Sequence, residues 1–324
     1  MAQIACNYPA DQDEIHAESM EAQKAIWFSG ARIQPVVQGM ELALELDRNT
    51  WYDLYQRNPI EKFAEQYWKE NGIDGWEEYK TIPDRLYIGN AFCHLLFPKE
   101  EQLFALMEKA IVENVEITLV FPCMREFQVE ERGKLLKKVD NWCEKRQTRV
   151  EILVNDWGMT ALVKESGKHL EPCLGVLLNK QKKDPRMRYK KGSTRGLGES
   201  NLQADFYRTF LKDTYGITRY EWESCGYPQV FPQGKNSLHL PYYQTNTSQY
   251  CPLYASCTEG ERGKQRLPEH CPGYCEQYAY LYPEHLHMAG RYNSLFGLDA
   301  ELVKHPEQLK VYQQAGIDRL VIGL

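Results

Sequence analysis

No stretch of the 324-residue chain approaches the roughly 20 consecutive apolar residues that a bilayer-spanning helix needs. The N-terminal run MAQIACNYPADQDEIHAES turns acidic at once and lacks a basic region followed by an apolar one, so no secretion signal is expected and the reading is cytoplasmic. Positive charge is not in excess either. The net charge of -6 excludes a general polyanion binder and confines any nucleic-acid contact to a local patch. There is no Ser/His/Asp signature, no phosphate-binding glycine loop and no His-Glu-x-x-His pair, and no internal repeat is visible.

What the chain has is cysteine. Ten are many for a reducing compartment, where disulfides are rare, so metal ligation or redox chemistry is the better explanation. Cys251-PLYAS-Cys257 is followed after thirteen residues by Cys271-PGY-Cys275, in a loop-like segment full of Pro, Gly and Tyr. Thiolates at this density serve iron–sulfur clusters or structural zinc. Zinc favours Cys-x-x-Cys pairs, which are missing here, so a four-iron four-sulfur cluster leads and zinc is the alternative. His270, His285 and His287 lie nearby, and His270 could replace a thiolate.

The rest alternates short apolar runs with amphipathic stretches. Expected strands are Met40–Leu46, Arg85–Gly89, Glu116–Phe121, Val150–Val154, Leu174–Leu178, Thr218–Trp222, Ser237–Pro241 and Arg319–Ile322, read as continuous apolar runs buried on both faces. Between them, helical spacing groups Ile60, Phe63, Ala64, Tyr67 and Trp68. It likewise groups Leu103, Leu106, Met107, Ala110 and Ile111, then Leu135, Leu136, Val139, Trp142 and Cys143, then Leu202, Phe206, Phe210 and Leu211. A last helix is expected from His305-Pro306 to Gly316. Alternation of this kind predicts an α/β fold, and eight strands predict a closed TIM-type (β/α) barrel over residues 33–324, with an extension at 1–32. A basic loop at 180–200 and the cysteine-rich segment 242–297 break the rhythm.

In such a barrel the loops after strands share the C-terminal face, where active sites sit. Cys93, Cys123, Cys225 and the cysteine block all follow strands, so cysteines far apart in sequence can meet there; Cys143 and Cys173 are assigned to packing. Asp156 and Asn179 end strands on that face and are the candidate catalytic residues, with helix capping as the plainer role for an Asp there. Lys182, Lys183, Arg186 and Arg188 sit in the basic loop as candidate anion or RNA contacts, with Tyr189 able to stack on a base; a solvated insert is the alternative.

Four stretches resemble the collagenase-like peptidase family U-32, and in particular its iron–sulfur members that assist oxygen-independent ubiquinone hydroxylation. They are Arg85-LYIGNAF-Cys93, Glu151-ILVNDWG, Leu177-Leu178-Asn179 and the block Cys257 to Cys275 with its Cys-Pro-x-x-Cys ending. The likeness spans roughly residues 84 to 324. It implies a cluster held by Cys93, Cys257, Cys271 and Cys275, with Cys251 as the alternate ligand. It also implies a part in hydroxylating a small molecule or RNA without oxygen. The alternatives are a non-catalytic iron–sulfur partner of a related protein in a heterodimer, or a peptidase. Tyr242 stands where the resemblance leads one to expect a carboxylate, which weighs against catalysis and towards the partner role.

Overall fold

The computed structural model describes residues 39–71, 82–185, 196–260, 263–264, 266–282 and 286–323, together with 2–3, 25 and 29. Eight parallel strands close on one another: β1 (Glu41–Leu46), β2 (Arg85–Gly89), β3 (Glu116–Val120), β4 (Val150–Val154), β5 (Leu170–Leu174), β6 (Arg219–Glu223), β7 (Lys235–Thr247) and the last strand of the chain, Arg319–Gly323, which pairs with both β7 and β1. This is the expected α/β barrel. The expected extension at 1–32 lies outside the described residues except for Ala2–Gln3, a two-residue strand paired with Tyr278 and Ala279, and positions 25 and 29.

The strands are not apolar on both faces as expected; they alternate. Leu42, Leu44 and Leu46 of β1 join the large cluster beneath the helices, while Glu41, Ala43 and Glu45 occupy the other parity. On β6, Tyr220 and Trp222 pack outward and Arg219, Glu221 and Glu223 belong to the interior. The interior is therefore built largely from paired charges. Arg319, 1% exposed, forks onto Glu151 at 2.6 and 3.0 Å and reaches Glu41 at 2.5 Å. Arg85 meets Glu41 at 2.6 Å, and Arg219 forks onto Asp318 at 2.8 and 3.1 Å. Burial alone would lift the Glu151 carboxyl, but Arg319, with Arg85 and Arg219 behind it, holds it down at about 2.

The helices form the outer layer. Helix α1 (Asn49–Arg57) and α2 (Ile60–Glu70) bury Trp51, Tyr52, Phe63, Tyr67 and Trp68 against β1 and β2. Next come α3 (Glu100–Val112), α4 (Val129–Arg146), α5 (Trp157–Ser166) and α6 (Asp205–Tyr215). The expected faces of α2 and α4 are buried as read, whereas Ile111 of α3 is 41% exposed. Helix α6 departs further. It starts after Leu202, which is buried in a preceding 3-10 turn, and it buries Leu211 while Phe206 and Phe210 are 77% and 44% exposed.

Strand β5 lies four residues earlier than expected. The apolar run at 176–178 is a turn, because Glu171 and Pro172 mask the true strand and Gly175 starts the bend. A Cβ on Gly175 would stand 2.2 Å from Asn155 Oδ1 and 2.6 Å from the Val154 carbonyl, so only glycine permits this approach.

Strand β7 is the one that builds the site. Its first half pairs in the barrel with β6 and the final strand. Its second half, Tyr242–Thr247, runs past the C-terminal rim and pairs antiparallel with β10 (Ser294–Leu298). Strands β8 (Tyr278–Leu281) and β9 (Met288–Arg291) complete this sheet in the order β8-β9-β10-β7, which makes the final barrel strand β11. Between β7 and β8 lies α7 (Pro252–Glu259), and α8 (Glu301–Lys304) and α9 (Leu309–Gln314) lead into β11. The expected last helix is thus split into a 3-10 turn, Pro306–Gln308, and α9.

Gly89 ends β2 at φ +124, and a Cβ there would lie 2.2 Å from the Val120 carbonyl oxygen. Gly89→Ala is expected to cost about 2–4 kcal/mol, combining a forbidden φ with a backbone clash. Gly216→Ala, with φ +75 but open space, should cost only about 1 kcal/mol. Urea unfolding of both variants checks this, and equal losses would contradict it.

Candidate functional site

The site begins where β2 leaves the barrel. Asn90 is buried, and its Oδ1 accepts the N–H groups of Phe92 and Cys93, both at 2.8 Å. Its Nδ2 donates to the Asp47 carbonyl at 3.0 Å. One asparagine thus ties the exits of β1 and β2 together and fixes the turn that presents Cys93.

The antiparallel extension brings the other cysteines over this turn. Cys93, Cys251 and Cys275 pack in one cluster with Leu96, Leu253, Phe92, Tyr242, Tyr280, Tyr292 and Phe296. Cys271 is within electrostatic reach of Cys93, Cys251 and Cys275. Cys257, further along α7, feels Cys271 alone among the cysteines. Cys251 caps α7 ahead of Pro252, and its Sγ accepts the Tyr254 N–H at 3.4 Å. The Cys271 Sγ likewise accepts the Gly273 N–H at 3.4 Å, in a loop whose Gly273 has φ +84. Asn49 of α1 anchors the same loop through Glu276 at 2.9 Å.

As protonated thiols Cys93, Cys251 and Cys275 are costly to ionise. Burial lifts Cys93 to about 11 and Cys251 to about 12, and burial pushes Cys275 higher still, with its neighbouring cysteines adding to the rise. An electropositive centre would reverse that balance, because ligation deprotonates thiols. Among the described residues no three of His, Cys, Asp and Glu are grouped closely enough to hold one metal ion. Tetrahedral zinc needs its thiolates within about 4 Å of one another, given zinc–sulfur bonds of about 2.3 Å. A four-iron cube asks for thiolates spread around a larger body. The Cys251 and Cys271 sulfurs each accept one backbone N–H, the kind of contact that cluster-ligating thiolates also accept.

Beneath the cysteine layer lies a cavity of about 90 Å³ at the barrel mouth, room for several waters or a compact organic group. Glu45, Tyr87 and His239 line its barrel side; Tyr242, Tyr292 and Phe296 are shared with the cysteine cluster. His239 sits between two carboxylates, Nδ1 at 2.7 Å from Glu45 and Nε2 at 2.8 Å from Glu221. Tyr87 donates to Glu221 at 3.2 Å and accepts from Arg319 at 2.9 Å. A hydrogen-bonded chain therefore runs from the charged interior to Glu45 in the cavity. Burial alone would lower the His239 imidazolium, but its bonds to Glu221 and Glu45 raise it to about 10.

The remaining expected residues are placed as follows. Asp156 caps α5, accepting from Met159 at 2.7 Å and Met124 at 2.6 Å, so its carboxylate is occupied by backbone. Asn179 is buried and donates to the Glu221 carbonyl at 2.9 Å, while its Oδ1 has no partner among the described residues. Lys183 points inward, its side chain 8% exposed and paired with Glu223, which lines the cavity. Lys182 is exposed and donates to the Gly196 carbonyl. Arg186, Arg188, Tyr189 and His285 lie outside the described residues, and His270 is exposed. Cys143 and Cys173 are buried in packing positions as read; Cys123 is exposed, and Cys225 is buried apart from the cysteine layer, beside Tyr227 and Tyr243.

Glu45, Glu221, Glu223, His239 and Arg291 were absent from the expected site. For Glu45, Glu221 and Glu223 the signal was present as charge recurring on the inward parity, in Glu41-Leu-Ala-Leu-Glu45 and Arg219-Tyr-Glu221-Trp-Glu223.

No protein-family model matches this chain, and no curated protein does. One similar solved structure is the Bacillus megaterium QM B1551 spore cortex-lytic enzyme SleL, at 9% identity and a TM-score of 0.29, over 90% of this chain and 70% of that one.

The raised His239 sets a pH dependence. A group whose folded value exceeds its unfolded one, about 6.5 for His, stabilises fully below that lower value and loses its contribution as pH rises towards about 10. Wild-type stability should fall across this window by a few kcal/mol more than that of His239→Gln. Parallel urea titrations from pH 6 to 10 measure the difference; identical slopes would contradict the charged bridge.

Proposed function

We propose that the chain holds a four-iron four-sulfur cluster in its cysteine layer and takes part in the oxygen-independent modification, by hydroxylation, of a small molecule bound in the cavity below. The observation that carries this reading is the packing of Cys93, from the β2 exit, with Cys251 and Cys275 in one cluster, with Cys271 within electrostatic reach, and the sharing of Tyr242, Tyr292 and Phe296 between that cluster and the cavity. The resemblance to family U-32 points the same way. It nominated Cys257, Cys271 and Cys275 with Cys93 as the fourth ligand and Cys251 as the alternate to Cys93; the packing of Cys251 beside both Cys93 and Cys275 favours including both and leaving out Cys257.

When bound, such a cluster supplies one-electron chemistry or a Lewis-acidic iron. The chain's own residues would supply the rest. Tyr242, Tyr292 and Phe296 exclude water between layer and cavity, and Glu45, held by His239, is positioned to exchange a proton with a bound molecule. Small-molecule chemistry is favoured over RNA because Lys183 is committed to Glu223, and the cavity is a small, partly open recess at the barrel mouth.

A second reading, a non-catalytic iron–sulfur subunit paired with a related protein, draws support from one surface. Phe206 and Phe210 are exposed, and Phe210, Tyr215 and Trp157 form a continuous run of ring contacts, with Trp157 41% exposed. Aromatic surface of this kind commonly marks an interface.

Iron and sulfide analysis of anaerobically purified variants tests the ligand assignment. Cys93→Ala, Cys251→Ala, Cys271→Ala and Cys275→Ala should each lose most of the wild type's iron, and Cys257→Ala should retain it. Retention in Cys251→Ala with loss in Cys257→Ala would return the fourth place to Cys257. Retention in Cys93→Ala would remove the link between barrel and cysteine block.

A further inference from the structure

Arg291 ends β9 and lines the cavity, with its side chain 13% exposed. Its guanidinium lies over the Tyr292 ring, 4.7 Å from the centroid. Nη1 is 4.0 Å from Asp47 Oδ2, a long ion pair. Nε and Nη2 are buried and have no hydrogen-bond partner among the described residues. These two atoms form one edge of the guanidinium, and their N–H bonds run side by side. A buried cationic donor left unpaired is costly, and here two parallel donors are left together. That edge matches the two oxygens of a carboxylate.

The other charges around the cavity already have partners within the protein. Glu45 is bridged by His239, and Glu223 by Lys183. Asp47 receives the Tyr292 hydroxyl and lies 3.4 Å from Arg48. Arg291 borders the cavity and its free edge is closed to solvent, so a ligand with one carboxylate would reach that edge by a small turn of the guanidinium. A second carboxylate would face Glu45, Asp47 or Glu223 and be repelled. The rest of the lining, including Phe92, Leu240, Ala289 and Phe296, is apolar or aromatic.

We infer that the barrel-mouth cavity is a binding site for a small organic monocarboxylate with an apolar or aromatic body, and that Arg291 holds its carboxylate through Nε and Nη2. This goes beyond the cluster reading and does not require it, since none of the residues used is a cysteine.

Calorimetric titration of the full-length chain with benzoate, benzamide, terephthalate and inorganic phosphate tests the inference. Measurements on the protein both with and without iron keep it separate from the cluster. Benzoate should bind, and its neutral isostere benzamide should bind at least about tenfold more weakly, because it cannot accept at both donors with charge. Terephthalate and phosphate should be weaker than benzoate. Arg291→Met should lose benzoate binding, and Arg291→Lys, a point charge without the fork, should retain part of it. If Arg291→Met does not fold, the comparison of benzoate with benzamide on the wild type decides. Equal binding of benzoate and benzamide, no binding of benzoate, or undiminished binding to a folded Arg291→Met would overturn the carboxylate site. Phosphate or terephthalate binding as tightly as benzoate would overturn the monocarboxylate assignment.

Discussion

Arg319 must find carboxylates inside the barrel, and the architecture of the molecule follows from how it does so. A guanidinium that is 1% exposed cannot be left unpaired, and removing one partner of such a pair typically costs about 3–5 kcal/mol. Glu41 and Glu151 supply the partners from strands on either side of the barrel, Arg85 and Arg219 join the same network, and Asp318 neutralises Arg219. These bonds run between strands that are distant in sequence, so they fix register as well as charge. Tyr87 carries the network upward to Glu221 and His239, and so to the mouth.

The mouth is shaped by two departures from a plain barrel. Strand β7 does not stop at the rim, and its extension supports the sheet β8-β9-β10 above the opening. Gly89 and Gly323 give up side-chain volume at the rim itself; a Cβ on Gly323 would stand 2.1 Å from the Glu45 carboxylate. Together they leave a partly open cavity with aromatic rings shared between its lining and the cysteine layer. The cysteine cluster and the cavity therefore share Tyr242, Tyr292 and Phe296 as common walls.

The barrel was legible because its strands and most of its helices carry apolar residues at the right period. Seven of the eight expected barrel strands overlap the observed ones closely, and the exception, β5, is where Pro172 and Glu171 interrupt the apolar signal. The antiparallel sheet was not legible. Its strands are short, Gly-containing and bracketed by cysteine loops, so they read as irregular chain. Helix α6 misled because Phe206 and Phe210 repeat at helical spacing yet face outward, and spacing cannot distinguish a core face from an exposed one. At the site, strand-end position pointed to Cys93, which packs in one cluster with Cys251 and Cys275. The same rule overvalued Asp156, whose oxygens serve backbone N–H groups, and it overlooked Glu45 and His239 because inward charge was read as a break in an apolar run rather than as the inner face.

The central claim is that the cysteine layer is a cluster site rather than a set of packed thiols. Mössbauer and visible absorption spectra of the wild-type chain, purified without oxygen and grown on isotopically enriched iron, test it most directly. The account predicts about four irons and four sulfides per chain with the isomer shift and broad charge-transfer absorption of a thiolate-bound four-iron cluster. A colourless protein with one stoichiometric zinc, or with no bound metal and all cysteines titrating as thiols, would contradict it.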